Sequence, residues 1–222
     1  MRQAVARRLV ARQPVARRLA GGLLVPALLA PALLFFSGPA HAHATAVGVG
    51  DLLAGLLHVV TGLEHVLPIL ALGLLAGRVR VAVLGGWSAS FIGAFLVFAV
   101  LGAAGRSIVP LPDPGTALPA SGALLGLWLA LSPRPGRVAW IAVALVVGAL
   151  HGLGNGQART DAMSLPAFVA GAALGAQAIA GIAMLVADAA SASRRQAVDI
   201  ALRALGSWIA AIGVLVVALA LR

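Results

Sequence analysis

From residue 51 onward the chain is a succession of long apolar runs, parted by short clusters of glycine, proline and arginine. The runs at 51–76, 80–104, 116–132, 137–154, 163–190 and 197–221 each predict one helix. Most reach the roughly 20 residues that carry a helix across a bilayer core. Gly77, Pro110-Leu-Pro-Asp-Pro-Gly115, Pro133-Arg-Pro-Gly136 and Gly154-Asn-Gly156 mark the gaps. The third and fourth runs are the short ones, which suits a span with little tilt. Alternating membrane-barrel strands are not seen in the pattern. The fold class expected is all-α: a polytopic membrane helix bundle of six transmembrane helices after a signal peptide.

That signal peptide is expected over residues 1–42, leaving 43–222 as one six-helix transmembrane domain. Its basic n-region holds Arg2, Arg7, Arg8, Arg12, Arg17 and Arg18, and an apolar stretch runs from Leu19 to Phe36. Ala40-His41-Ala42 fits the small-x-small cleavage pattern, and Ala42-His43-Ala44 fits it again. The apolar stretch is long and contains Pro26 and Pro31, so an uncleaved first helix is the rival. Cleavage after Ala42 would leave His43 with an α-amine beside its imidazole, a weak metal-binding pair.

Composition strengthens the membrane reading. The chain has 222 residues, 61% of them hydrophobic and 10% charged, with a mean hydropathy of +1.04. The net charge of +10 suggests nucleic acid at first sight. All the basic residues are arginine, however, and beyond residue 42 ten of them face six acids. Topology explains these better than a phosphate-binding surface, so no nucleic-acid partner is expected. With residue 43 on the translocated side, Arg78, Arg80, Arg134, Arg137, Arg194 and Arg195 fall in cytoplasmic loops. Arg106, Arg159 and Arg222 fall opposite. That asymmetry obeys the positive-inside rule. It implies a mature N-terminus on the translocated side, which in a bacterial inner membrane is the periplasm. There are no cysteines, hence no thiolate metal site.

Candidate chemistry lies in the first mature run. Asp51, His58 and His65 are spaced by seven, with Gly55 and Gly62 interleaved. On a straight helix, seven residues return to within about 20° of the starting direction and rise about 10.5 Å. The expected picture is a stripe of oxygen and nitrogen donors beside bare backbone, flanked by Glu64 near the bilayer midplane. A carboxylate there costs about 2.5–3.5 kcal/mol on insertion scales. Pro68 deprives the Glu64 carbonyl of its helical donor. His151 could add a nitrogen from the fourth helix, beside Asn155, while Gln177 in the fifth could line a path. Imidazole with carboxylate suits Ni²⁺, Co²⁺ or Zn²⁺. Most remaining glycines, among them Gly122, Gly126, Gly171, Gly175 and Gly181, read as close-packing positions.

The segment His58-Val59-Val60-Thr61-Gly62-Leu63-Glu64-His65-Val66-Leu67, with Gly73 after it, resembles the HupE/UreJ family. Its first-helix pattern is H-P-x-x-G-x-D-H-L-L. The signal peptide and six mature helices resemble the family too. Val59 stands for the usual proline and Glu64 for aspartate. His151-Gly152-Leu153-Gly154 matches the H-G-L-G of one branch, where many members carry a histidine-rich H-G-H-x-H-G run. The resemblance implies a nickel or cobalt permease or accessory protein supplying metalloenzyme assembly, and so metalloenzyme maturation proteins as partners. It implies a transported ion, no permanently bound cofactor and no enzymatic activity. Alternatives are a non-transporting accessory or scaffold protein, and an intramembrane hydrolase built on Gly86-Trp87-Ser88 with His151 as base.

The arginine asymmetry makes a direct prediction. Cysteines introduced at Thr116 and at Arg134 should label oppositely with a membrane-impermeant thiol reagent in intact cells. Equal labelling would overturn the layout.

Overall fold

A computed structural model describes residues 50–78, 86–105, 114–131, 137–193 and 195–222. All of them fall in one compact unit within His41–Arg222. Residues 1–42 and His43 lie outside the described residues, as does the Ser88 side chain. Among the described residues there are seven helices and no strand: α1 (Asp51–Thr61), α2 (Leu63–Arg78), α3 (Gly86–Gly105), α4 (Ala117–Leu131), α5 (Arg137–Ala158), α6 (Leu165–Ser191) and α7 (Gln196–Ala220).

α5, α6 and α7 are long and apolar enough to cross a membrane. α1 and α2 make a fourth span if the bent pair is counted as one. The apolar lengths Ala89–Ala104 and Ala117–Leu131 are shorter. The chain is therefore an all-helical membrane protein. Leucine and valine cover its outward faces, as on Leu124, Val146, Leu185 and Leu215, all exposed; lipid rather than water suits such a surface.

The expected single helix over 51–76 is not continuous. It breaks at Gly62, and the second half is bent 73° from the line of the first. Local chemistry explains the position. Gly62 has the weakest intrinsic helix preference short of proline, and adopts extended angles, φ −77° and ψ 115°. The Thr61 hydroxyl donates back to the Leu57 carbonyl at 2.7 Å, a contact that bends helices. Pro68 weakens the ladder one turn later. The second correction concerns Gly154-Asn155-Gly156. This stretch lies inside α5, which runs on to Ala158. Its glycines are packing positions, not a turn.

Glycine sets the pairing of helices. A Cβ at Gly171 would stand 1.8 Å from the Leu52 carbonyl oxygen, and one at Gly55 would stand 2.0 Å from that of Phe168. Gly73 and Gly77 meet the Ala180 and Met184 carbonyls in the same way. Gly171 meets Leu52 and Leu56 while Gly175 meets Leu56 and Val60, so the residue numbers rise together in both halves, and α1 and α2 both run parallel to α6. Gly148, Gly152 and Gly156 press on Phe91, Phe95 and Ala99, which makes α3 and α5 parallel. Gly126 and Gly206 meet each other's helices while Gly213 meets Ala123, so α4 and α7 are antiparallel. Backbones this close gain dispersion and weak C–H···O contacts, the main attractions available between helices in lipid.

Both ends of the bundle carry polar clasps. At one end the Ser164 amide donates to Asp51 Oδ2 at 2.8 Å, tying the start of α6 to the start of α1. At the other, Arg78 pairs with Asp199 and donates to the Leu129 carbonyl. Arg203 donates to the Ala130 carbonyl at 2.9 Å. Two guanidinium groups from α2 and α7 thus satisfy the last carbonyls of α4, where the helix dipole favours positive charge. Beside them Trp128 and Trp140 stack, with centroids 5.7 Å apart and rings 16° from parallel.

These contacts predict opposite effects of one substitution at two glycines. Gly171→Ala must push α1 off α6 and should cost about 1–3 kcal/mol. Gly93, on α3, has nothing within 4 Å of its added Cβ. Gly93→Ala should be neutral or stabilising by up to about 1 kcal/mol through helix preference. Thermal unfolding in detergent measures both, and equal melting temperatures for the two variants would refute the packing account.

Candidate functional site

The break in the first span creates the site. On a straight helix His58 and His65 would sit about 10.5 Å apart along the axis. Here their ring centroids are 5.0 Å apart. The expected straight stripe from Asp51 through His58 to His65 therefore does not persist past Thr61. Gly62 lies at the centre of the fold-back. A Cβ there would meet Glu64 Oε1 at 2.9 Å, the His58 carbonyl oxygen at 3.0 Å and His65 Cδ2 at 3.1 Å. The His65 imidazole and the Glu64 carboxylate thus crowd one bare stretch of backbone. Phe168 of α6 packs on the other side of His58, with centroids 6.0 Å apart.

His65 points into the bundle and meets His151 of α5. The two Nδ1 atoms are 3.0 Å apart. Both residues are buried, His65 at 2% and His151 at 0% exposure. Asn155, one turn after His151 and equally buried, donates through Nδ2 to the His151 carbonyl at 2.7 Å. The same nitrogen lies 3.5 Å from His65 Nδ1. Asn155 Oδ1 is buried and has no hydrogen-bond partner among the described residues. From α4, the Ser121 hydroxyl lies 3.3 Å from His151 Nε2 and donates to the Leu118 carbonyl at 2.6 Å.

The candidate residues thus divide. His58, Glu64, His65, His151, Asn155 and Gly62 are brought together. Asp51 is two turns away from His58 and holds the α6 N-terminus. Gly55 is a packing position against α6. Gln177 sits half-buried in the middle of α6. The Glu64 carbonyl freed by Pro68 faces a proline that itself packs on Gly122 of α4. Sequence reasoning missed Ser121, although it is the single hydroxyl in the 117–131 run. It also missed that Asp199 is paired with Arg78. Among the described residues, no three histidine, aspartate or glutamate side chains form a ready metal cage. The core of the arrangement is a two-nitrogen pair with the Asn155 amide and the Ser121 hydroxyl beside it, while the Glu64 carboxylate lies against Gly62.

A family model for the HupE / UreJ protein matches residues 31–216, most of the chain. The chain belongs to the HupE/UreJ family. No curated protein and no solved structure matches it. Membership agrees with the first-run motif, whose His58, Gly62, Glu64 and His65 are the residues that the break gathers. It also makes this an accessory membrane protein of the nickel and cobalt kind.

An orphaned buried acceptor has a measurable signature. Leaving a buried polar atom unpaired costs about 1–3 kcal/mol, more than one ordinary hydrogen bond returns. Asn155→Leu should therefore leave the melting temperature of the metal-free protein unchanged or raised. A drop of several degrees would show that the Asn155 side chain is a structural tie.

Proposed function

We propose that this chain is a bacterial inner-membrane permease for Ni²⁺ or Co²⁺, supplying metalloenzyme assembly, and that the cation passes between His65 and His151. The observation that carries the reading is the separation of their Nδ1 atoms, 3.0 Å. Two nitrogens each about 2.1 Å from a cation are about 3.0 Å apart when they subtend a right angle, and about 3.4 Å in a tetrahedron. In the metal-free pair 3.0 Å is a hydrogen-bond distance, and a cation would take the place of the shared hydrogen with the two nitrogens about as far apart. Asn155 Oδ1 and the Glu64 carboxylate supply oxygen nearby. A two-nitrogen site grips a cation less firmly than a four-ligand structural site, and cargo must leave as well as bind. Transport requires no covalent chemistry from these groups.

A broken helix at mid-membrane supports the same reading. Irregular backbone at that depth is tolerated where it lines a cavity or is buried in protein, and transporters use such breaks at their ion sites. Six spans with a periplasmic mature N-terminus are part of the proposal. In support, the parallel pairs α1–α2 with α6 and α3 with α5, and the antiparallel pair α4 with α7, fit an alternating six-span order. The Asp51 clasp would then face the periplasm and the Arg78 clasp the cytoplasm.

The second reading is a non-transporting accessory protein, favoured by the lack of a third clustered ligand among the described residues. Uptake separates the two. Cells carrying the chain should accumulate nickel or cobalt above cells without it, with zinc measured in parallel. His65→Ala and Glu64→Gln should abolish the difference while the protein still inserts. Glutamine removes a charge that is expensive at this depth, so the amount of folded protein should hold or rise. Glu64→Asp keeps the charge and should retain more uptake than glutamine. If Glu64→Gln and His65→Ala transport as well as the parent, the permease reading fails and the accessory reading stands.

A further inference from the structure

Ser121 lies outside the motif that identifies the family, yet its hydroxyl sets the direction of the hydrogen bonds that run from Leu118 through His151 to His65. The Leu118 carbonyl can only accept. At 2.6 Å from Ser121 Oγ it takes the one hydroxyl hydrogen, since two oxygens cannot lie that close without a hydrogen between them. Ser121 Oγ then has only lone pairs to offer His151 Nε2, 3.3 Å away. A bare Nε2 would set lone pair against lone pair, so Nε2 carries the hydrogen. In a neutral imidazole the other nitrogen is then bare. His151 Nδ1 therefore accepts, and the hydrogen in the 3.0 Å contact belongs to His65; the longer 3.5 Å approach of Asn155 Nδ2 to His65 Nδ1 is then a contact without a hydrogen bond. The chain reads His65 to His151 to Ser121 to Leu118.

We propose that Ser121 is a positioning residue: it holds His151 in the tautomer whose bare Nδ1 faces His65, ready as a ligand atom. A ligating histidine ordinarily donates its second ring N–H to a fixed acceptor, which sets ring orientation and tautomer. The serine oxygen has that place here, supplied from a third helix. The tautomer stands on the hydrogen bonds alone; its consequence for uptake rests on the permease reading.

The test reads ring-nitrogen NMR of histidine-labelled, metal-free protein, with His151 assigned by the signals missing in His151→Gln. The parent should show His151 protonated at Nε2 and bare at Nδ1. Ser121→Ala leaves that N–H without an acceptor, so the tautomer should become mixed or invert, and Ser121→Thr should restore it. A His151 protonated at Nδ1 in the parent, or unchanged in Ser121→Ala, overturns the proposal. Uptake per inserted molecule should fall about tenfold in Ser121→Ala, the effect of losing such a partner, and recover in Ser121→Thr. An altered tautomer with undiminished uptake, where His65→Ala abolishes uptake, overturns the positioning role. Equal uptake by the parent and His65→Ala overturns the permease reading instead, while the NMR result still decides the tautomer.

Discussion

A backbone break inside an apolar layer is tolerable only if its polar groups are satisfied within the protein. The break at Gly62 meets that condition. The Gly62 amide donates to the His58 carbonyl at 3.2 Å, and its own carbonyl accepts from the His65 and Val66 amides. The last turn of α1 and the first turn of α2 thus share one residue as a joint cap. What holds the joint at its angle is α6, which touches backbone on both sides of it. Gly55 and Gly171 fix the outer half, while Gly73 and Gly77 fix the inner half. The two histidines of the first span then converge because the helix between them turns. A regular helix through Gly62 would separate them and aim His65 elsewhere.

The polar cluster is a stability cost that the apolar bundle carries. Buried amide and imidazole groups gain little net from hydrogen bonds and lose much when left unpaired. Asn155 Oδ1 has no partner among the described residues, although the residue is fully buried. A site of this kind accords with local rules being violated where function needs it. The clasps at the two ends differ in kind. Asp51, Arg78, Asp199 and Arg203 satisfy helix termini or one another, and so tie elements together without a further partner.

The hydropathy pattern was enough to read an all-helical chain and the packing role of most glycines, but it predicted six helices where the described residues hold seven. Those signals are local and periodic. The break was not legible, because Thr61, Gly62 and Pro68 each only weaken a helix, and such weaknesses are often overridden by packing. The pairing of His65 with His151 spans 86 residues of sequence, and no periodicity within one helix encodes it. Ser121 was invisible for a related reason. A lone hydroxyl in an apolar helix usually bonds its own backbone, as this one does to Leu118, and only the facing imidazole gives it a second role. Gly154-Asn155-Gly156 misled because glycine marks turns in water but close contacts in lipid.

The arrangement of contacts explains why the cluster sits where it does. Backbone-to-backbone glycine contacts join α1–α2 to α6, α3 to α5 and α4 to α7. Between these pairs the glycines meet side chains instead: Gly122 faces Pro68, and Gly154 faces Leu118. The buried polar chain takes one member from each pair, with His65 on α2, His151 and Asn155 on α5, and Ser121 on α4. It therefore lies at the junction of three tightly built units rather than inside any one. Movement within a pair is opposed by carbonyls in direct contact with the facing helix. Movement between pairs is opposed by side chains and by the Arg78 clasp to Asp199 and the Leu129 carbonyl, and it would change the distance between the two Nδ1 atoms. Rocking of rigid helix units around a midplane site is the general means of alternating access, and in this protein the joints between units and the candidate ligands coincide.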